Sequence, residues 1–242
     1  GGKWIDAENG REFQSFNPAS GEVLGSLPAG EGADAIKAVD AAVLAFEEWS
    51  TQTAYQRSQF LYKAHSLMMA DLDRLATIMT EEQGKPIQAA RNEVRYGADF
   101  LLWYAEEAKR VSGRTIPSAR PDQRFLVIHQ PVGVLRANTP RNDPNSMITR
   151  KVSPALAAGG ANDHKPAEAT PLCAKAVFEI FEKAAIPAGV VNLVTALDPG
   201  PIGDVFLEDA RVRKLTFTGS TQVGKMLTRG AADQLKRISL EL

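Results

Sequence analysis

The chain has 242 residues, 44% hydrophobic and 24% charged, enough apolar material for one large domain or a domain with an appendage. A net charge of −1 gives no reason to expect nucleic acid or an anionic membrane as a partner, and no apolar run approaches the ~20 residues needed to span a bilayer. The single cysteine excludes an internal disulfide, which fits a reducing, intracellular compartment, the cytoplasm or the mitochondrial matrix.

In chain order, Phe16-Asn17-Pro18-Ala19-Ser20-Gly21-Glu22-Val23 reads as turn chemistry between two short extended runs. Ile36, Val39, Val43, Phe46 and Trp49 then recur at spacings of three and four and mark one helix face. Phe60, Leu61, Ala64, Leu67 and Met68 mark a second helix, and Leu72, Leu75, Ile78 and Met79 a third. Gly84 ends that run, and Pro86 opens a fourth helix whose apolar positions include Val94, Phe100, Leu101, Tyr104, Ala108 and Val111. The texture changes at Gly113. Phe125-Leu126-Val127-Ile128 is β-rich, and Pro131 separates it from Val132-Gly133-Val134-Leu135. From there strands alternate with helices, the signature of βαβ units and a parallel sheet. A helix with Met147, Ile148, Val152 and Leu156 precedes a short strand ending at Lys165, and a helix opened by Thr170-Pro171 precedes Val190–Val194. A helix near Ile202–Leu207 leads to Arg213–Thr218, and one from Ser220 leads to Arg237–Leu242.

The most telling corner is Leu215-Thr216-Phe217-Thr218-Gly219-Ser220-Thr221-Gln222-Val223-Gly224. A β-branched run breaks at a glycine, and a hydroxyl residue opens a helix. Unpaired N–H groups and the positive end of the helix dipole suit such a junction to a phosphate, with Gly219 allowing a tight turn and Ser220 capping the helix or donating to the anion. Taken alone, the corner fits an ordinary capped helix better than a phosphate site, because such corners are common.

Lys165-Pro166-Ala167-Glu168-Ala169-Thr170-Pro171, Ile238-Ser239-Leu240-Glu241-Leu242, Thr139-Pro140-Arg141-Asn142-Asp143-Pro144 and Gln83-Gly84-Lys85-Pro86 occur in an order and spacing that resemble the NAD(P)-dependent aldehyde dehydrogenase superfamily. Among its members the succinate-semialdehyde dehydrogenases are most similar, through Met147-Ile148-Thr149-Arg150-Lys151. The resemblance implies an α/β fold: a Rossmann-like parallel sheet (133–242), an amino-terminal helical part of the coenzyme-binding domain (1–112), and a projecting hairpin that joins subunits (113–132). It covers the amino-terminal, coenzyme-binding half of such enzymes. The catalytic cysteine domain lies outside these residues, so the expectation is a truncated chain, inactive alone, whose full-length form is a homo-oligomer acting on a small aldehyde.

The resemblance also assigns residues. NAD, or NADP, would be held by Pro140, Lys165, Glu168, Gly219, Ser220 and Val223. A carboxylate at Glu168 would face the ribose hydroxyls and repel a 2′-phosphate, favouring NAD; the alternative is a solvated ion pair at a helix start. Glu241 would be the general base, which needs partial desolvation, although its place near the chain end predicts a frayed, solvated side chain. Asn142 would donate to a developing oxyanion. Arg150 would pair with a distal carboxylate of the substrate through its bidentate fork, the alternative being a plain surface arginine. Cys173, on an apolar helix face, reads as a buried structural thiol. His65, His129 and His164 lack metal-ligand spacing, and no metal is expected.

Several positions depart from the family pattern. Arg141 and Asp143 stand where aromatic residues are usual, and Arg136, Asn138 and Asn162-Asp163-His164 replace apolar strand residues. Burying such groups without partners costs several kcal/mol in all. A non-catalytic nucleotide-binding or assembly module is the second reading, favoured by the absence from these residues of the nucleophile and of the aromatic residues around Asn142.

Overall fold

A computed structural model of the protein describes residues 2–242. The chain enters through an antiparallel pair, β1 (Glu12–Phe16) and β2 (Val23–Pro28), and continues into α1 (Gly32–Trp49), α2 (Ala54–Ala70), α3 (Leu72–Gln83) and α4 (Ile87–Glu107). Thr53 caps α2, its hydroxyl accepting the Gln56 N–H while the Gln56 side chain reaches back, a reciprocal capping box. Gly84 closes α3 in the left-handed region, φ +78°, which an L side chain rarely adopts.

A hairpin follows, β3 (Arg114–Ile116) against β4 (Phe125–Val127), exposed along both strands. The remainder is the alternation expected: β5 (Val134–Asn138), α5 (Pro144–Ala157), β6 (Ala161–Lys165), α6 (Pro171–Lys183), β7 (Val191–Leu193), α7 (Gly200–Glu208), β8 (Val212–Thr218), α8 (Thr221–Ala232) and β9 (Arg237–Glu241). These strands form one five-stranded parallel sheet in the order β7-β6-β5-β8-β9. α1 packs on one face of it together with α7. α5 and α6 cover the other face, with α2, α3 and α4 stacked behind them.

The main core lies in that double helical layer and holds Trp49, Leu61, Met68, Leu75, Met79, Leu101, Ile148, Leu156 and Phe181, all nearly inaccessible to solvent. Each such side chain contributes roughly 1.5–3 kcal/mol on leaving water, so the amphipathic faces account for the layer's cohesion. Two expected core positions fall elsewhere. Ile36 is exposed because α1 turns Ala35, Ala38, Val39 and Ala42 inward, small residues that let it lie close on the sheet. Val111 is exposed because α4 ends at Glu107 and a single 3₁₀ turn follows.

Candidate functional site

Parallel strands place all their carboxyl ends on one edge of the sheet, and the strand order reverses between β5 and β8, where open α/β sheets bind ligands. That edge gathers Pro140 after β5, Lys165 and Glu168 after β6, Gly219 and Ser220 after β8, and Glu241 at the end of β9.

Helices start from the same edge, and their amino termini differ in how they are closed. Glu93 of α4 accepts the N–H groups of Asn145 (3.0 Å) and Ser146 (3.2 Å) at the start of α5. Glu82 of α3 does the same for α6, accepting from Leu172 and Cys173 at 2.8 Å each, and also takes the Ser15 hydroxyl. Both helix dipoles are thus answered by internal carboxylates. The start of α8 has no such acid. Ser220 caps it through its hydroxyl, which accepts the Val223 N–H at 3.3 Å, and Ser220, Thr221, Gln222 and Val223 are all exposed. At the start of α7 the nearby Asp198 accepts the Gly200 N–H at 2.9 Å, so of these four helix starts the exposed one without a carboxylate, that of α8, is the one suited to an external anion.

Gly219 differs from expectation in its reason for being glycine. Its φ is not positive; instead a Cβ there would lie 2.4 Å from the Phe217 ring, so the residue permits close packing of that ring. Its N–H donates to the Glu241 carbonyl at 3.1 Å, tying the turn to β9.

Lys165 is nearly buried and its ammonium pairs with Glu168. Burial first, then the Arg136 guanidinium, pull its pKa down to about 7, against the attraction of Asp198. The Lys165–Glu168 couple therefore sits at the edge as a pre-formed donor and acceptor set, half sheltered from water.

Glu241 is not frayed. It lies within β9, opposite Thr218 in the parallel register. One carboxylate oxygen accepts from Arg150 Nη1 at 3.0 Å and the other from the Thr218 hydroxyl at 3.1 Å, although the side chain stays about half exposed. Arg150 in turn lies over the Phe100 ring, 6.0 Å from its centroid. Behind it, Lys151 is mostly buried and donates to Thr216 at 3.3 Å; burial brings its pKa down to about 8. Asn142 is exposed in the turn before α5, with its side-chain amide donating to Asp143 at 2.9 Å.

The departures from an apolar sheet lie inside except Asn138, which is half-buried at the end of β5. Arg136, Asn162, Asp163 and His164 are buried on β5 and β6, with Arg136 directly opposite Asp163. Arg136 donates to Asn138 at 2.5 Å and its guanidinium stacks 3.9 Å from the Phe206 ring centroid. Asp163 accepts from Asn192 at 2.9 Å, and His164 meets the Thr139 hydroxyl at 2.9 Å. Arg136 Nη1, Asp163 Oδ2, His164 Nδ1 and both side-chain polar atoms of Asn162 have no partner among the described residues. Burial raises the Asp163 pKa to about 7, lowers that of Arg136 to about 9, and pushes His164 well below the usual imidazole range.

Sequence reasoning passed over Glu82, Glu93 and Thr218. The first two carried a signal: acids on helix stripes otherwise occupied by Leu75, Met79, Ala90 and Val94. Cys173 lies buried as expected, and burial raises its thiol far above the ordinary value.

The aldehyde dehydrogenase family model matches residues 4–242. The glutarate-semialdehyde dehydrogenase of Pseudomonas putida is 47% identical over 241 residues, all of this chain and 50% of that protein. The succinate-semialdehyde dehydrogenase of Escherichia coli, whose name specifies NADP(+), is also 47% identical over the whole chain and 50% of its own length. Among solved structures, an aldehyde dehydrogenase from Brucella melitensis superposes with a TM-score of 0.98 at 49% identity, over 99% of this chain and 50% of that one. The chain spans about half the length of the curated relatives it matches.

Proposed function

The chain belongs to the aldehyde dehydrogenase family, and from that premise we propose that it is the coenzyme-binding part of an enzyme that oxidises a semialdehyde, first of all succinate semialdehyde, to the carboxylic acid with NAD(P)+. The observation that carries this reading is the unequal closure of the helices at the sheet edge: Glu93 and Glu82 fill the starts of α5 and α6, Asp198 accepts the Gly200 N–H at the start of α7, and the exposed start of α8 carries no carboxylate and is open to a pyrophosphate. Gly219 and Ser220 would meet that pyrophosphate, with Val223 and Pro140 beside it. Lys165 and Glu168 would take the ribose hydroxyls, the carboxylate accepting and the ammonium donating. When bound, the coenzyme would supply the hydride acceptor. Glu241, now paired with Arg150, would take a proton at a carboxylate oxygen once Arg150 releases it, and Arg150 would meet a substrate carboxylate through its planar fork. The Asn142 amide would donate to the oxygen that gains charge. The hairpin, exposed on both strands, would be the subunit contact.

The reading is tested by calorimetric titration of the 242-residue chain with NAD+ and NADP+. Saturable binding in the micromolar to millimolar range is expected, NAD+ being the tighter because Glu168 repels a 2′-phosphate. No heat and no rise in melting temperature up to about 1 mM of either coenzyme, the upper range of working substrate levels, would sink it. Turnover of succinate semialdehyde by these residues alone is not expected, since their one cysteine is buried and its thiol held protonated. A second reading, a nucleotide-binding or assembly module without chemistry, is favoured by two observations. The Asn142 amide is already engaged by Asp143, and charged groups fill the strands beneath the site. NAD+ binding that is undisturbed by Asn142→Ala and Glu241→Gln fits both readings; a partner-completed enzyme that stays inactive selects the second.

A further inference from the structure

The Gln83-Gly84-Lys85-Pro86 turn, where α3 hands over to α4, lands beside the segment that carries Asn142. Gln83 Nε2 donates to the carbonyls of Arg141 (3.1 Å) and Asn142 (2.6 Å). The Lys85 ammonium donates to the same Asn142 carbonyl at 2.8 Å and to Asp143 Oδ1 at 2.7 Å, and pairs with Glu93. Glu93 is buried and holds the N–H groups of Asn145 and Ser146. The other oxygen of Asp143 takes the side-chain amide of Asn142 at 2.9 Å. Every residue from 141 to 146 except Pro144 is thereby tied, through backbone or side chain, to one short stretch of α3 and α4.

The three acceptors around Lys85 explain the residue type. An ammonium is a compact charge with three donors that can point in three directions, and here they meet two carboxylates and a carbonyl. Glu93 without Lys85 would be a buried carboxylate against the Asp143 charge, and its pKa is already raised by burial. Gly84 in the left-handed conformation reverses the chain so that Gln83 and Lys85 reach the same carbonyl from either side of the turn.

We infer that Gln83, Lys85 and Glu93 form a polar brace that sets both the backbone and the side-chain amide of Asn142, which makes Lys85 a positioning residue for that donor. The inference rests on the oxyanion role proposed above for Asn142. Its physical content, an Asn142 amide whose orientation depends on Lys85 through Asp143, is separable from that role.

The test is amide NMR on the 242-residue chain, with the Asn142 side-chain resonances assigned by their loss in Asn142→Asp. Lys85→Met is expected to shift those resonances and to speed hydrogen exchange at Asn145 and Ser146 about tenfold, the scale of losing a hydrogen bond to a charged group. Exchange in α2 should be unchanged, and Lys85→Arg should recover much of the signal. Gln83→Ala, which removes only two bonds to carbonyls, should shift the same resonances and decides the matter if Lys85→Met does not fold. An unmoved Asn142 amide in either folded variant, or exchange that accelerates uniformly across the helices, would overturn the inference. NAD+ titration of the same samples reads the coenzyme proposal independently: absence of binding by the unmodified chain would defeat that proposal and leave the Lys85 dependence of Asn142 to stand or fall by itself.

Discussion

Replacing Asp163 by Asn should stabilise the protein, and by an amount that depends on pH in a way no surface carboxylate would produce. Asp163 is inaccessible to solvent on β6, with one oxygen bonded to Asn192 and the other unpartnered. Burial raises its pKa from 3.8 to about 7, and the attraction of Arg136 across the strand pair is already contained in that value. An acid whose folded pKa exceeds its unfolded one holds its proton more tightly in the native state. The native state is therefore unpenalised below about pH 4 and increasingly disfavoured as pH climbs to 7. At about 1.4 kcal/mol per pKa unit, the cost reaches roughly 4 kcal/mol above pH 7 and is about 1.5 kcal/mol at pH 5. Asn keeps an acceptor for Asn192 and carries no charge, so Asp163→Asn should gain close to those amounts. The whole-protein pH profile is a poor readout, because Lys165 works the other way: its lowered pKa removes stability as pH falls from about 10 towards 7. The difference between the two proteins cancels that contribution. Urea unfolding at pH 5, 6.5 and 8, with an unchanged dependence on urea, measures it. A gain that stays constant within about 0.5 kcal/mol from pH 5 to pH 8, or a loss at pH 8, would refute the argument that Asp163 is buried as an uncompensated acid.

Ser220→Ala should cost about 1 kcal/mol in thermal unfolding by removing the only side-chain cap of α8, and an unchanged melting temperature would mean the cap is not formed in solution. Cys173 should resist a thiol reagent in the native protein and react fully in denaturant, since its thiol is buried and held protonated; rapid native labelling would place it at an accessible surface instead.

The residues gathered at the carboxyl edge of the sheet are legible in the sequence. The strand–Gly–Ser–helix corner, the lysine that ends β6 with the glutamate three residues on, and the glutamate that ends β9 are local patterns, and a parallel sheet necessarily puts the ends of its strands on one edge. Other features depend on contacts between residues far apart in the chain. Glu82 and Glu93 look like solvated helix acids until α6 and α5 set their amino termini against them, 90 and 52 residues along. The position of Glu241 near the last residue predicts fraying, whereas its partners Arg150 and Thr218, which hold it, are distant in sequence. A glycine at 219 suggests a conformational need, whereas the decisive object is the ring of Phe217 two residues earlier.

Periodicity and punctuation, which are properties of neighbouring residues, determined the elements and their order, because a helix or strand is selected mainly by which faces its own side chains make apolar. The tertiary structure alone decided which charges are answered. Whether an amino terminus is open or plugged, whether Asp163 meets a cation or only an amide, and whether Asn142 is free or held all depend on distances between strands and helices that the local pattern does not encode. Electrostatic energies fall off with those distances and rise with burial, so this chemistry was settled by packing.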